Sequence, residues 1–115
     1  MRHADLVAYC PAEPGAVPDR PWEGDLVAKV GGRTVAFLGD DGPGVTCGRD
    51  SDEAAELRHR FPASVTVSAY LGRHGWNRVR LDGAPGEVPD DAELRELVDA
   101  SYDAVVAPLP RRLRP

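Results

Sequence analysis

Arg73 and His74, followed by Trp76, Arg78 and Arg80 at alternate positions, are the residues of this 115-residue chain best suited to binding chemistry. Arginine answers phosphate oxygens and base edges, and an aromatic ring offers a face on which a base can stack. The alternation matters because successive side chains of a strand point to opposite faces. Trp76, Arg78 and Arg80 are therefore predicted on one open face, with Asn77, Val79 and Leu81 turned toward a core. In the preceding run, Val65, Val67, Ala69 and Leu71 alternate with Thr66, Ser68 and Tyr70. Bringing the two apolar sets together predicts a hairpin in which Val67 pairs with Val79. Tyr70 then lies beside Trp76, Ser68 beside Arg78 and Thr66 beside Arg80. The turn becomes a five-residue loop, Leu71 to Gly75, with Arg73 and His74 at its tip. Such a surface suits DNA, with Arg111 and Arg112 near the end of the chain adding charge. A second reading makes Tyr70, Trp76 and Asn77 the lining of a pocket for a small molecule or a protein segment.

The charge distribution sharpens the first reading. The net charge is −5, which by itself disfavours a polyanionic partner. Yet Arg58, Arg60, Arg73, Arg78 and Arg80 fall within residues 58–81, a stretch with no Asp or Glu. Acidic residues dominate on either side, and Arg111, Arg112 and Arg114 make the end basic again. The whole-chain figure hides a local cationic feature.

Other chemistry finds little support. His3, His59 and His74 lack the spacing of a metal-binding pair, and neither Cys10 nor Cys47 has a histidine or second cysteine nearby. The two cysteines are expected as buried free thiols. No serine sits in a nucleophile elbow. The glycine-rich stretch 39–44 contains Asp40 and Asp41, which would repel phosphate, and reads as a turn. The expectation is a protein without catalysis, metal or cofactor. No run approaches the roughly 20 apolar residues of a membrane span, and the first residues lack a signal peptide's apolar stretch. A monomer in the cytoplasm is expected.

The elements that must position the arginines can be read from periodicity and punctuation. A short first helix carries Leu6, Val7 and Cys10. Prolines 11, 14, 18 and 21 predict an irregular connection through Glu23. Leu26–Val30 and Thr34–Leu38 form a hairpin over Gly31-Gly32, and Val45–Cys47 is a third strand. Asp50 with Glu53 opens a helix that runs from about Ser51 to Arg60. Leu94, Leu97, Val98, Ser101, Tyr102 and Val105 mark one face of a closing helix that starts after Asp90. Hairpins segregated from helices predict one α+β domain over residues 1–115, a central antiparallel β-sheet with helices packed on one face. Residues 109–115 are expected as a flexible basic tail.

Several stretches together resemble the MmcQ/YjbR family. They are Tyr70-Leu71-Gly72-Arg73-His74-Gly75-Trp76-Asn77-Arg78-Val79, then Glu96-Leu97-Val98 and Ser101-Tyr102-Asp103, and the exit Val105 to Arg112. Pro14-Gly15-Ala16, Lys29 to Arg33 and Ala54 to Leu57 fit as well, so the likeness runs from about residue 5 to 113. The resemblance implies a double-wing α+β fold and a DNA-binding role, an association carried by the family rather than by these residues. Two departures stand out. Gly75 precedes the tryptophan where many relatives have histidine, and Pro108 stands where many have a basic residue.

Overall fold

A computed structural model describes residues 2–22, 25–38, 44–48, 50–68 and 75–115. Among the described residues, three helices bring apolar side chains to the sheet. Helix α1 (His3–Tyr9) buries Leu6, α2 (Ser51–Arg60) buries Ala54 and Leu57, and α3 (Asp91–Val106) buries Leu94, Leu97 and Val98. The two longer helices begin as expected: Asp50 and Asp90 each accept a 2.9 Å bond from the backbone N–H three residues on. These side chains meet Ala36, Leu38, Val45, Cys47 and Val79 from the sheet in one main core. Burying each leucine stabilises the fold by about 1.5–3 kcal/mol.

Among the described residues the sheet has six strands, paired antiparallel. They are β1 (Val17–Trp22), β2 (Asp25–Val30), β3 (Arg33–Phe37), β4 (Gly44–Gly48), β5 (Val65–Val67) and β6 (Trp76–Arg80), in spatial order β1-β2-β3-β4-β6-β5. The expected β2–β3 hairpin closes through Gly31 and Gly32, both at positive φ (56° and 81°). Only glycine adopts that pair of conformations without strain.

Three expectations change. The proline-rich connection is partly regular, with a 3-10 turn at Cys10–Ala12 and then strand β1. Pro18 and Pro21 are tolerated because β1 is an edge strand, with a neighbour on one side only. The β5–β6 register is displaced by two residues. Val65, rather than Val67, opposes Val79, and Thr66 opposes Arg78. Ser68 donates its N–H to the Trp76 carbonyl at 3.1 Å, and Val67 is left 53% exposed. Thirdly, the stretch expected as a tail begins in a core, with Leu109 buried and residues 110–115 exposed. Leu109 joins Val30 and Val35 in a second small core, and Arg111–Leu113 forms a 3-10 turn with Leu113 against Gly31.

That second core depends on a bulge. Ala28 pairs with Ala36 and Lys29 with Thr34, so Val35 has no opposite residue and turns with Ala36 toward the helices. Ser101, on the apolar side of α3, clamps the helix there. Its hydroxyl donates to the Val35 carbonyl at 2.6 Å and accepts the Gly48 N–H at 2.9 Å. No helix among the described residues is long and apolar enough to cross a membrane.

Candidate nucleic-acid interface

The sheet's other face carries the residues singled out by type and spacing. Along β6, Asn77 and Val79 are buried while Trp76 and Arg78 are half-buried and Arg80 is exposed, the alternation expected. Strand β4 explains how the first two lie. Gly48 pairs with Trp76 and Gly44 with Arg80, so a Cβ on either glycine would point to the open face. A Cβ at Gly48 would fall 2.6 Å from the indole Cε2 and Nε1. One at Gly44 would fall 2.6 Å from the Arg78 guanidinium. Trp76 and Arg78 thus lie across β4 in two glycine seats, with Thr46 between those seats. Over Gly48 the indole reaches Phe37 of β3, edge to face at 5.8 Å between centroids and 71° between planes.

Phe37 thus gives Trp76 an aromatic neighbour that the strand pattern did not predict. Tyr70, Arg73 and His74 lie outside the described residues. Thr66 stands beside Arg78 and Ser68 beside Trp76, so the hydroxyls are present one pair along from their expected positions. The glycine seats escaped the sequence reading, although two glycines four apart in a strand share a face and signal a large side chain lying over them.

Folding also answers much of the local positive charge. Arg80 grips Asp82 through two bonds, Nε to Oδ1 at 3.1 Å and Nη2 to Oδ2 at 2.8 Å. That guanidinium holds the Asp82 carboxyl below its ordinary range. Arg60 pairs with Glu93 at 2.6 Å and more loosely with Glu56 at 3.7 Å. Arg58 donates to the Asn77 amide oxygen at 2.7 Å, and Asn77 in turn donates to the Ala54 carbonyl at 3.0 Å. Asn77 is therefore a buried brace between α2 and β6, turned away from the face where a pocket with Trp76 was expected. Arg111 and Arg112 are exposed, but they follow Leu109 on the helical side near the β2–β3 turn. The structure groups Trp76, Arg78 and Arg80 and leaves the terminal arginines apart from them.

The family model YjbR matches residues 12–104. The chain belongs to the YjbR family. It is 33% identical to the uncharacterized protein YjbR of Escherichia coli K12, covering 99% of this chain and 95% of that protein. The same figures hold for YjbR of Escherichia coli O157:H7. The fold is similar to the crystal structure of Deinococcus radiodurans protein DR2400, whose domain is DUF419. The TM-score is 0.81 at 28% identity, over 96% of this chain and 83% of that one. Family membership fixes the α+β architecture with its antiparallel sheet; the names of these YjbR relatives state no ligand.

Proposed function

We propose that this YjbR-family chain binds DNA weakly through the open face of β6 and β4. The observation that carries the reading is the set Trp76, Arg78 and Arg80 on one strand face, two of them laid across Gly48 and Gly44, with Thr66 and Ser68 alongside. A flat arginine-and-indole surface with hydroxyls meets phosphates and base faces without a protruding reading helix. Few cations take part, so affinity is in the micromolar range or weaker at physiological salt, with little sequence preference.

Fluorescence anisotropy with a labelled oligonucleotide, titrated with salt, tests this. Two or three phosphate contacts give a log–log slope of about −2 to −3, a loss of roughly 10- to 60-fold between 50 and 200 mM salt. Arg78→Ala with Arg80→Ala flattens the slope by about 2. No association at about 50 mM salt, or an affinity unchanged by the double substitution, refutes the reading. The indole packed on Phe37 favours one alternative, an aromatic anchor for a small molecule or protein segment. Its mark is salt-insensitive binding of such a ligand, lost on Trp76→Ala.

A further inference from the structure

The two edges of the sheet are built differently. Strand β1 carries Pro18 and Pro21, which lack an N–H, with Asp19 and Arg20 between them. Prolines and charges on an edge keep other strands from adding to it. At the opposite edge β5 has neither. Its ladder to β6 extends past the strand at both ends: the Arg80 N–H bonds the Ser64 carbonyl at 2.8 Å, and the Ser68 N–H bonds the Trp76 carbonyl at 3.1 Å. The paired run is therefore Ser64-Val65-Thr66-Val67-Ser68, uncharged and rich in β-branched residues. Backbone groups alternate in direction along an antiparallel strand. Ser64, Thr66 and Ser68 bond toward β6, so Val65 and Val67 turn their backbone groups outward. The Val65 N–H is held by the Phe61 carbonyl at 2.9 Å. That leaves the Val65 carbonyl and both groups of Val67 on the edge, and no strand among the described residues pairs with them. The Val67 side chain, on the same side of the strand as Val65, is 53% exposed.

The run Ser-Val-Thr-Val-Ser reads the same in both directions. A two-fold axis requires that residue i meet j wherever j meets i, and a palindromic strand paired antiparallel with itself does so with like side chains. We propose that β5 of a second copy of this chain adds antiparallel to this edge, with Thr66 meeting the partner's Thr66 on the two-fold axis and Val67 paired with the partner's Val65. Each Val67 N–H then donates to the partner's Val65 carbonyl, and each exposed Val67 side chain is covered. Charge favours the same partner. Helix α2 lies over β5 and β6, so the axis sets it antiparallel to its mate at about two strand spacings, roughly 10 Å, which is a helix-packing distance. Its first turn carries Asp52 and Glu53, and its last turn Arg58, His59 and Arg60. The acidic start of each helix thus faces the basic end of the other. The sheet becomes continuous across the seam. The two β6 strands lie three spacings apart, about 14 Å, and both sets of Trp76, Arg78 and Arg80 share one face. A dimer stands in place of the monomer expected from the sequence. Its seam is small, so it dissociates on dilution.

Sedimentation equilibrium from micromolar to millimolar protein, without DNA, tests this. The weight-average mass should rise with concentration from the 12.4 kDa of one chain toward twice that value. Val67→Lys puts a charge on the exposed edge, and Val67→Pro removes the N–H that bonds the partner. Each should hold the mass at one chain throughout, with wild-type circular dichroism showing the fold intact. Val17→Lys, at the 57% exposed Val17 of the β1 edge, should leave the rise in place. In a mixture of ¹³C-labelled and unlabelled protein, isotope-filtered NOEs should join the Val67 methyls of one copy to the Val65 methyls of the other. A single-chain mass at every concentration overturns the proposal. So does a rise that survives Val67→Lys, or one that Val17→Lys abolishes. None of these readouts involves DNA, so the dimer and the DNA reading stand or fall separately.

Discussion

The two sides of the sheet treat charge in opposite ways. On the open face and around α2, the arginines that look like a cationic run in sequence find partners: Asp82 for Arg80, Glu93 for Arg60 and the Asn77 amide for Arg58. On the helical side, Glu13, Asp99 and Asp103 line one cavity, brought together from segments some 90 residues apart. The segment with the largest positive charge has become more nearly neutral, while carboxylates from distant segments share one cavity. Charge per stretch of sequence measures neither, because pairing is set by which elements the fold brings together.

The two sides meet at Ser101, and the largest effect is expected there. Ser101→Ala strands the buried Gly48 N–H and Val35 carbonyl together, for a loss of about 2–3 kcal/mol in urea unfolding. It also loosens Gly48 beneath the indole, so Trp76 emission should shift in the folded protein. Unchanged stability would mean that water reaches both backbone groups and that α3 does not clamp β4. Gly48→Ala is the next step down. The added methyl meets rigid indole atoms at 2.6 Å, and overpacking of this kind costs about 1–3 kcal/mol. Replacing Trp76 by leucine in the same background should recover part of that loss. No recovery would place the clash elsewhere.

Much of this arrangement was legible because it follows from parity and punctuation. The alternation along Trp76–Arg80, the Gly31-Gly32 turn and the Asp50 and Asp90 caps each have a local cause. The β5–β6 register did not. A slip of two residues preserves which face every side chain occupies, so matching the apolar rows cannot distinguish Val65 from Val67 as partner of Val79. The structure's register continues beyond β5, where the Arg80 N–H bonds the Ser64 carbonyl at 2.8 Å. Strand β1 was missed because four prolines spoke for a loop, and only its position at the edge makes two of them harmless. The cavity that Glu13 and Asp99 share joins residues far apart in the chain, and nothing in the local pattern of either announces it.

The smallest structural change offers the finest test of the contrast. Asp82→Asn removes the carboxylate that holds Arg80 and leaves a polar group of similar shape. Both partners are well exposed, so the midpoint of thermal unfolding should stay where it is. If the open face binds DNA, Arg80 no longer has to leave Asp82 to meet its phosphate. Affinity at low salt then rises several-fold. Combining Asp82→Asn with Arg80→Ala should erase the gain, since the effect runs through that one arginine. A gain that survives Arg80→Ala would come from the lost negative charge acting at long range instead. No gain at all would take Arg80 out of the interface and leave Arg78 and Trp76 to carry it.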